Sequence, residues 1–444
     1  MKYQSYQLHN YASINGIDKL SDADRKAIEI TGRVLPFKAN NYVTNELIDW
    51  SNVPEDPMFT LYFPRMEMLQ AEHFEKVELL VASGASDKDI KEVVEAIRLT
   101  LNPHPAGQHL NVPSIGNIKL NGVQHKYRET ALFFPSQGQT CHAYCTFCFR
   151  WPQFSGMDGM KFAMKEAELL IEYLKTHREV TDLLFTGGDP LTMNASRIAA
   201  YVEPLLDDSL QNIQTIRFGT KALANWPYRF LSDPDTDELL RLFEKIVRAG
   251  KNLAIMAHYS HPVELSTGAS QEAIRRVRAT GAQIRTQSPV LNHINNKPEL
   301  WAEMWRKQVN FSCIPYYMFV ARDTGAKAFF EVPLVDCWNT FRSAYQMVSG
   351  VCRTVRGPSM SATPGKVQVL GVSEIRGEKV FVLRFLQGRN PDWVARPFFA
   401  KFDEKASWLN TLQPAFGEEK FFFEEELEAL FNDNCRRSEI ENFE

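Results

Sequence analysis

The 444-residue sequence contains no apolar run approaching the roughly eighteen residues needed to cross a bilayer. Its start, MKYQSYQLHNYASINGIDKL, also lacks the apolar stretch of a secretory leader. The expectation is no membrane association and a cytoplasmic location. An excess of one charge is missing too: 50 Lys and Arg stand against 54 Asp and Glu, a formal net charge of -4, so no nucleic-acid partner is expected. Cysteine is scarce and unevenly placed, seven in all, which excludes the disulfide framework of small secreted domains. There is no internal repeat and no low-complexity segment. With 44% hydrophobic and 23% charged residues, the composition is that of a globular, enzyme-like protein with a large core.

Three of the cysteines are concentrated in QTCHAYCTFCFRW at 139–151, where Cys141, Cys145 and Cys148 form C-x3-C-x2-C. Structural zinc takes four protein ligands in a closed shell. A cubane iron–sulfur cluster on three thiolates instead keeps one iron open to a further molecule. A zinc site completed by His142 or a distant cysteine is the competing reading. Cys313, Cys337, Cys352 and Cys435 are isolated and read as small buried hydrophobes.

Residues before about 105 read as mainly helical. SDKDIKEVVEAIRLTL offers Ser86 and Asp87 as caps and sets Ile90, Val93, Val94 and Ile97 on one face. Pro103 and Pro105 end that helix, and 102–124 reads as a connector. From about 130, short apolar runs alternate with helix-length amphipathic stretches, the pattern of repeated β/α units. Six strands are expected, at 131–134, 182–186, 215–219, 253–258, 283–288 and 314–320. Unusual residues follow these runs: Cys141, Gly187-Gly188-Asp189, Thr220-Lys221, His258 and Gln287. Parallel sheets place function at such strand ends. Six units make a parallel α/β barrel that stays incomplete, or an open sheet. Past 365, KVQVLGVSEI and KVFVLRFL read as a hairpin turning at Arg376-Gly377-Glu378, and EEKFFFEEELEAL reads as a terminal amphipathic helix.

LLFTGGDPL places two glycines and Asp189 directly after a strand. Glycines let backbone approach a ligand, and a carboxylate accepts from an ammonium, although such a sequence alone is more often a tight turn.

CHAYCTFCFR followed about forty residues later by GGDPL resembles the radical S-adenosylmethionine (SAM) superfamily, and more narrowly the lysine 2,3-aminomutase family. HKYRETALFF, IRFGTK, AHYSHPVEL, TQSPVLNHINN, PYYMF and SGVC agree in order and spacing over roughly 50–370. The resemblance implies an α/β fold, a partial (β/α)6 radical SAM barrel at 125–370, with an N-terminal helical region and connector (1–124) and a C-terminal α+β extension (371–444). It implies a [4Fe-4S] cluster on Cys141, Cys145 and Cys148, and S-adenosyl-L-methionine whose amino group is held by Gly187, Gly188 and Asp189. It also implies pyridoxal 5'-phosphate (PLP), which serves as a radical sink while the α-amino group of a small amino acid moves to the β-carbon. By the same resemblance, Lys366 in SATPGK, fourteen residues after Cys352, carries PLP; Lys126 and Tyr127 contact its phosphate and ring; Arg150 grips the substrate α-carboxylate; and His258 and Gln287 contact the adenosyl group or cofactor. The expected partners are the substrate, a flavodoxin- or ferredoxin-type electron donor, and further copies in a homo-oligomer.

The sequence departs from the family pattern in four places. An arginine expected after Tyr127 is Thr130, with Arg128 a possible substitute. The loop before Lys366 is poorer in glycine than the pattern. Arg322 and Ser359 stand where lysine mutases carry two aspartates, and an arginine repels an ammonium and attracts a carboxylate. Glutamate, or another acidic or neutral amino acid, is therefore favoured over lysine; Asp323 and a one-residue shift would restore one acidic partner. A C-terminal cysteine cluster is absent, so no structural zinc is expected, and WVARPFFAKF and FFFEEEL are candidates for packing or oligomer contacts. Competing readings are a lysine mutase, a homologue that modifies an elongation-factor lysine, a PLP-independent radical enzyme, and a non-enzymatic metal-binding protein.

Overall fold

The computed structural model describes residues 1–102, 109–156 and 162–440, without side chains beyond residue 432. Pro103, Pro105 and Cys435 lie outside the described structure or side chains.

All six expected strands form, and they pair in sequence order within one sheet that has eleven strands among the described residues. Numbered within this sheet, they are β1 (Val123–Tyr127), β2 (Thr130–Phe133), β3 (Asp182–Phe185), β4 (Thr215–Thr220), β5 (Asn252–His258), β6 (Gln283–Val290), β7 (Ile314–Val320), β8 (Arg356–Ser361), β9 (Gly365–Ile375), β10 (Glu378–Gly388) and β11 (Pro397–Lys401). Pairing is parallel from β2 through β8. It is antiparallel where β1 flanks β2 and where β9, β10 and β11 continue past β8.

Six β/α units thus lead into a seventh parallel strand, β8, which was not among the expected runs. Its sequence RGPSMS has one large apolar residue and a proline, yet Ser359 and Met360 are fully enclosed. Position between β7 and β9, rather than local propensity, makes it a strand.

The sheet is shaped by alternation. In β4, Ile216, Phe218 and Thr220 are buried, whereas Arg217 and Gly219 face the other side. Helix α6 (Thr236–Arg248), following α1 (Asp22–Val34), α2 (Ala71–Ala82), α3 (Asp87–Thr100), α4 (Ala167–Thr176) and α5 (Ala195–Val202), buries Leu239, Leu240, Phe243 and Ile246 in the same core. Crossover connections carrying α7 (Gly268–Ala279), α8 (Pro298–Asn310) and α9 (Leu334–Gln346) continue the barrel wall. The wall is incomplete, and a side chain reaches across the opening: Lys126 Nζ of β1 donates to the Ala362 carbonyl just after β8.

The N-terminal helices behave as read. Ser86 accepts from the Asp89 amide at the start of α3, Val94 and Ile97 are buried, and Ile90 and Val93 pack beside them. Their core is a separate cluster that also takes in Ala143, Trp151, Trp226 and Phe330, which places this region against the loops at the barrel's C-terminal mouth.

At the other end, the expected hairpin turns at Arg376 and Gly377, both at positive φ. Strand β9 runs through residue 370, the expected domain limit: its ladder with β10 shifts register between Val369 and Gly371 and then continues to Ile375. Phe398, Phe421 and Phe423 are buried against Phe385 and one another, so these aromatic segments pack inside the chain instead of forming an outer contact face. The tail is helix α10 (Glu424–Ile440). Among the described residues, no helix is long and apolar enough to cross a membrane.

Candidate active site at the barrel mouth

The loop after β2 carries Cys141, Cys145 and Cys148, all half-buried, and the N-terminal region holds it by its backbone. Lys38 Nζ donates to the Cys141 carbonyl at 2.7 Å; Tyr3 Oη and Asn40 Nδ2 donate to the His142 carbonyl at 2.8 and 3.2 Å. The Tyr144 amide donates to Lys38, and the Thr146 amide to Leu61. A loop with no secondary structure of its own is thereby held in place.

The three thiols share one electrostatic space. Burial, then Asp189, Cys148 and Cys145, push the Cys141 thiol well above its usual range; burial pushes Cys145 up to about 12 and raises Cys148. Three such groups ionise together only with cationic charge between them, which an iron–sulfur core supplies. Three thiolates at this spacing fit a cubane cluster that keeps one iron open. The His142 ring lies stacked near Trp226 with centroids 6.4 Å apart, and its Nδ1 is buried without a partner.

The GGD turn packs closely against the cysteine loop. A Cβ on Gly187, whose φ is +131°, would lie 2.2 Å from the Gln139 side chain, and one on Gly188 would lie 2.4 Å from the Thr140 carbonyl oxygen. The glycines admit the cysteine loop, the Gln139 side chain at Gly187 and the Thr140 backbone at Gly188. Asp189 is similarly committed. Its carboxylate accepts from Leu191 N at 3.0 Å, Thr220 Oγ1 at 2.7 Å and Lys221 N at 2.9 Å, while its own amide donates to Thr140. Burial raises its pKa and these donors oppose the rise. The turn therefore locks β3, β4 and the cysteine loop together. The carbonyls of Gly187 and Gly188 accept none of the loop or cap hydrogen bonds among the described residues, which leaves them as acceptors for a ligand ammonium.

His258 and Gln287 share a rung between β5 and β6. The His258 ring lies 5.5 Å from that of Phe147, its Nε2 has no partner, and burial with Lys221 nearby holds the imidazole neutral. Lys221 pairs with Glu264 at 2.6 Å, and Glu264 also receives Tyr62 Oη at 3.2 Å. That buried network beside Cys145 went unread as a network, since its three members are far apart in sequence.

Beside the cysteine loop the site is cationic. Lys366 on β9 lies over the Tyr317 ring at 4.1 Å, and burial, reinforced by Arg217 and Arg356, brings its ammonium down to about 8. Arg150 lies over Phe134 at 4.7 Å and Arg322 over Phe149 at 5.0 Å, each guanidinium feeling the other or its neighbours through a desolvated space. Arg322 Nη2 donates to the Ser361 carbonyl at 3.0 Å. Burial, then Arg389, Arg322 and Lys366, push Lys126 well below the usual lysine range, and Tyr127 stands beside Arg389 and Arg322. The buried ion pairs are Arg217–Asp182, Lys221–Glu264 and Arg229–Asp235; among the described residues, Lys126, Arg150, Arg322, Lys366 and Arg389 have none. Desolvated cations without carboxylates fit a site for anionic ligands, and the lysine near neutrality fits an aldehyde cofactor.

Ser359 is fully enclosed on β8 with its hydroxyl unpartnered. Asp323 is buried and acts on Arg322, with no ion pair between them among the described residues. Arg128 is exposed on the β1–β2 turn and does not reach the site. Arg389, which sequence reasoning missed, does: Nε donates to Thr363 O at 2.9 Å and Nη2 to Asn111 Oδ1 at 2.6 Å. Lys38 was missed as well; no motif surrounds either residue.

Residues 130–225 match a family described as a 4Fe-4S single cluster domain. An Aquifex aeolicus protein bearing the L-lysine 2,3-aminomutase name is 29% identical over 395 residues, covering 89% of this chain and 92% of the relative. L-lysine 2,3-aminomutase of Methanococcus maripaludis is 24% identical, covering 70% of this chain and 60% of its own length. Glutamate 2,3-aminomutase of Clostridioides difficile is 27% identical, covering 44% and 43%; this chain therefore spans less than two thirds of each of the latter two. The cysteine loop, the strand order and the relatives agree: the chain is similar to the lysine 2,3-aminomutase-like family of radical S-adenosylmethionine isomerases.

Proposed function

We propose that this chain is a PLP-dependent amino acid 2,3-aminomutase that moves the α-amino group of an acidic or neutral amino acid to its β-carbon, with glutamate the leading candidate. The observation that carries the reading is a run of buried cations that feel one another, Lys366 (pKa about 8) and Arg322 both acting on Lys126 and Arg322 acting on Arg150, with no ion pair to a carboxylate at any of them among the described residues. When bound, the cluster and SAM supply a carbon radical, and PLP supplies a carbonyl for the substrate amine and a ring that spreads unpaired spin.

The chain's own residues bind and orient. Cys141, Cys145 and Cys148 hold the cluster, and the carbonyls of Gly187 and Gly188 receive the methionyl ammonium while Asp189 fixes their turn. His258 and Gln287 border the adenosyl side. Lys366 presents an amine that is partly unprotonated at neutral pH, so it can take up the cofactor aldehyde and release it to substrate. Arg150, two residues from Cys148, is placed to bind the α-carboxylate. Arg322 is placed to read the far end of the substrate, with the Ser359 hydroxyl deeper on the neighbouring strand.

A lysine substrate would set its ammonium against Arg322 in a space already rich in cations, so lysine is disfavoured by the same charges that favour a second carboxylate. This reading carries with it an external flavodoxin- or ferredoxin-type donor, a homo-oligomer and a cytoplasmic setting.

The test is anaerobic reconstitution with iron, sulfide, SAM, PLP and reductant, followed by chromatography for β-isomers of a panel of amino acids. A glutamate or neutral-residue product is expected. Arg322→Asp is expected to shift the lysine-to-glutamate turnover ratio upward by roughly tenfold or more, the scale of a charge reversal at a desolvated contact. Lysine as the sole substrate, or an unchanged ratio, would remove Arg322 as the specificity residue.

A further inference from the structure

Three consecutive backbone carbonyls at the end of β8 each hold a cation from a different part of the chain. Ser361 receives Arg322, Ala362 receives Lys126, and Thr363 receives Arg389. Lys366 follows three residues later on β9. The row is therefore ordered: Arg322 at the end that also feels Arg150, Lys126 in the middle, and Arg389 at the far end. Arg389 is steadied by Asn111 and retains donor capacity beyond its two bonds. Tyr127, whose ring lies 5.4 Å from Lys126 Nζ, feels both Arg389 and Arg322.

Carbonyls of one turn cannot neutralise these charges. They can only orient them, and an anion must complete the group. A carboxylate brings one negative charge; a phosphate monoester brings nearly two with three acceptor oxygens, which suits two cations and a phenol better than a carboxylate does.

We infer that Arg389, contributed by the C-terminal region, joins Lys126 and Tyr127 as the receptor for a phosphate monoester, the phosphate of the PLP carried on Lys366. The inference rests on the PLP reading above. It makes Arg389 the replacement for the arginine absent at Thr130, from 259 positions further along the chain. It also leaves Arg150 and Arg322 free for the two ends of a substrate.

The experiment titrates PLP and pyridoxal, which lacks the phosphate, by absorbance into the reconstituted full-length protein and its Arg389→Gln and Arg389→Lys variants, with borohydride trapping and mass analysis of Lys366. The native protein should prefer PLP strongly. In Arg389→Gln that preference should fall roughly 10- to 100-fold, with pyridoxal affinity unchanged and Arg389→Lys intermediate. Inorganic phosphate should compete with PLP in the native protein and less so in Arg389→Gln. Unchanged PLP affinity in Arg389→Gln would overturn the assignment, and so would an equal loss of PLP and pyridoxal, which marks a structural role for Arg389. If the native protein forms no adduct at Lys366 with either aldehyde, the PLP reading itself fails, a result visible before any Arg389 variant is compared.

Discussion

A lysine serves carbonyl chemistry only when a measurable fraction of it is unprotonated at working pH. At a pKa of about 8, roughly one Lys366 side chain in ten is a free amine at pH 7, against about one in three thousand for an ordinary lysine. Formation of the Lys366–PLP adduct should therefore quicken about tenfold between pH 7 and pH 9, as followed by stopped-flow absorbance. A flat profile would show that the amine is not the limiting group. The same shift has a stability consequence of defined sign. Between about pH 8 and 10.5 the unfolded chain holds a proton that the folded one lacks, so stability rises with pH; below 8 the buried ammonium's penalty is fully present. Lys366→Met should accordingly melt higher than the native apoprotein at pH 7 while losing all PLP uptake. Arg128 and Arg389 show what was hidden at this scale. The former sits in a recognisable motif yet is exposed, whereas the latter has no motif and is brought in by a hairpin returning across the sheet.

Among the elements, the GGD turn has the least freedom. A methyl group at Gly188 would meet the Thr140 backbone at 2.4 Å, and backbone yields far less readily than a side-chain tip. Gly188→Ala should cost about 1–3 kcal/mol and displace the cysteine loop. The expected result is a marked fall in iron and sulfide bound per chain with the far-UV circular dichroism retained; normal iron loading would show that the loop tolerates the shift. The parallel strands were legible because each carries a continuous apolar run, and the crossover helices because their apolar spacing is helical. The glycines were legible as special but not in purpose: a sequence cannot say whether the close neighbour is a ligand or another loop. Strand β8 was illegible because its apolar content is low and its neighbours supply the burial.

On the scale of the whole molecule, the N-terminal region and the barrel are joined by buried polar bonds as well as by packing. Lys221 at the end of β4 pairs with Glu264, which also accepts from Tyr62 and from the amides of Ser260 and His261. Both charged side chains are almost wholly enclosed, at 9% and 0% exposure. Lys221→Met would leave the Glu264 carboxylate buried without its cation, at a cost of about 3–5 kcal/mol. A melting temperature lower by several degrees is expected, with Lys221→Met combined with Glu264→Gln recovering part of the loss; a neutral single variant would show that the amide and phenol donors suffice.

The row of cations on Ser361, Ala362 and Thr363 also sets an order of events during translation. Apart from those to Asp189 and Asn225, the backbone ties that hold the cysteine loop to other elements come from residues 3 to 61, so those partners have left the ribosome before the loop itself is made. The turn that Gly188 presses against the loop follows about forty residues later. Arg389 is among the last tenth or so of the chain to emerge, and without it the cationic row is incomplete. A nascent chain can therefore build its iron site well before its cofactor pocket exists, and a chain truncated ahead of Arg389 would bind metal while still lacking the grip on phosphate.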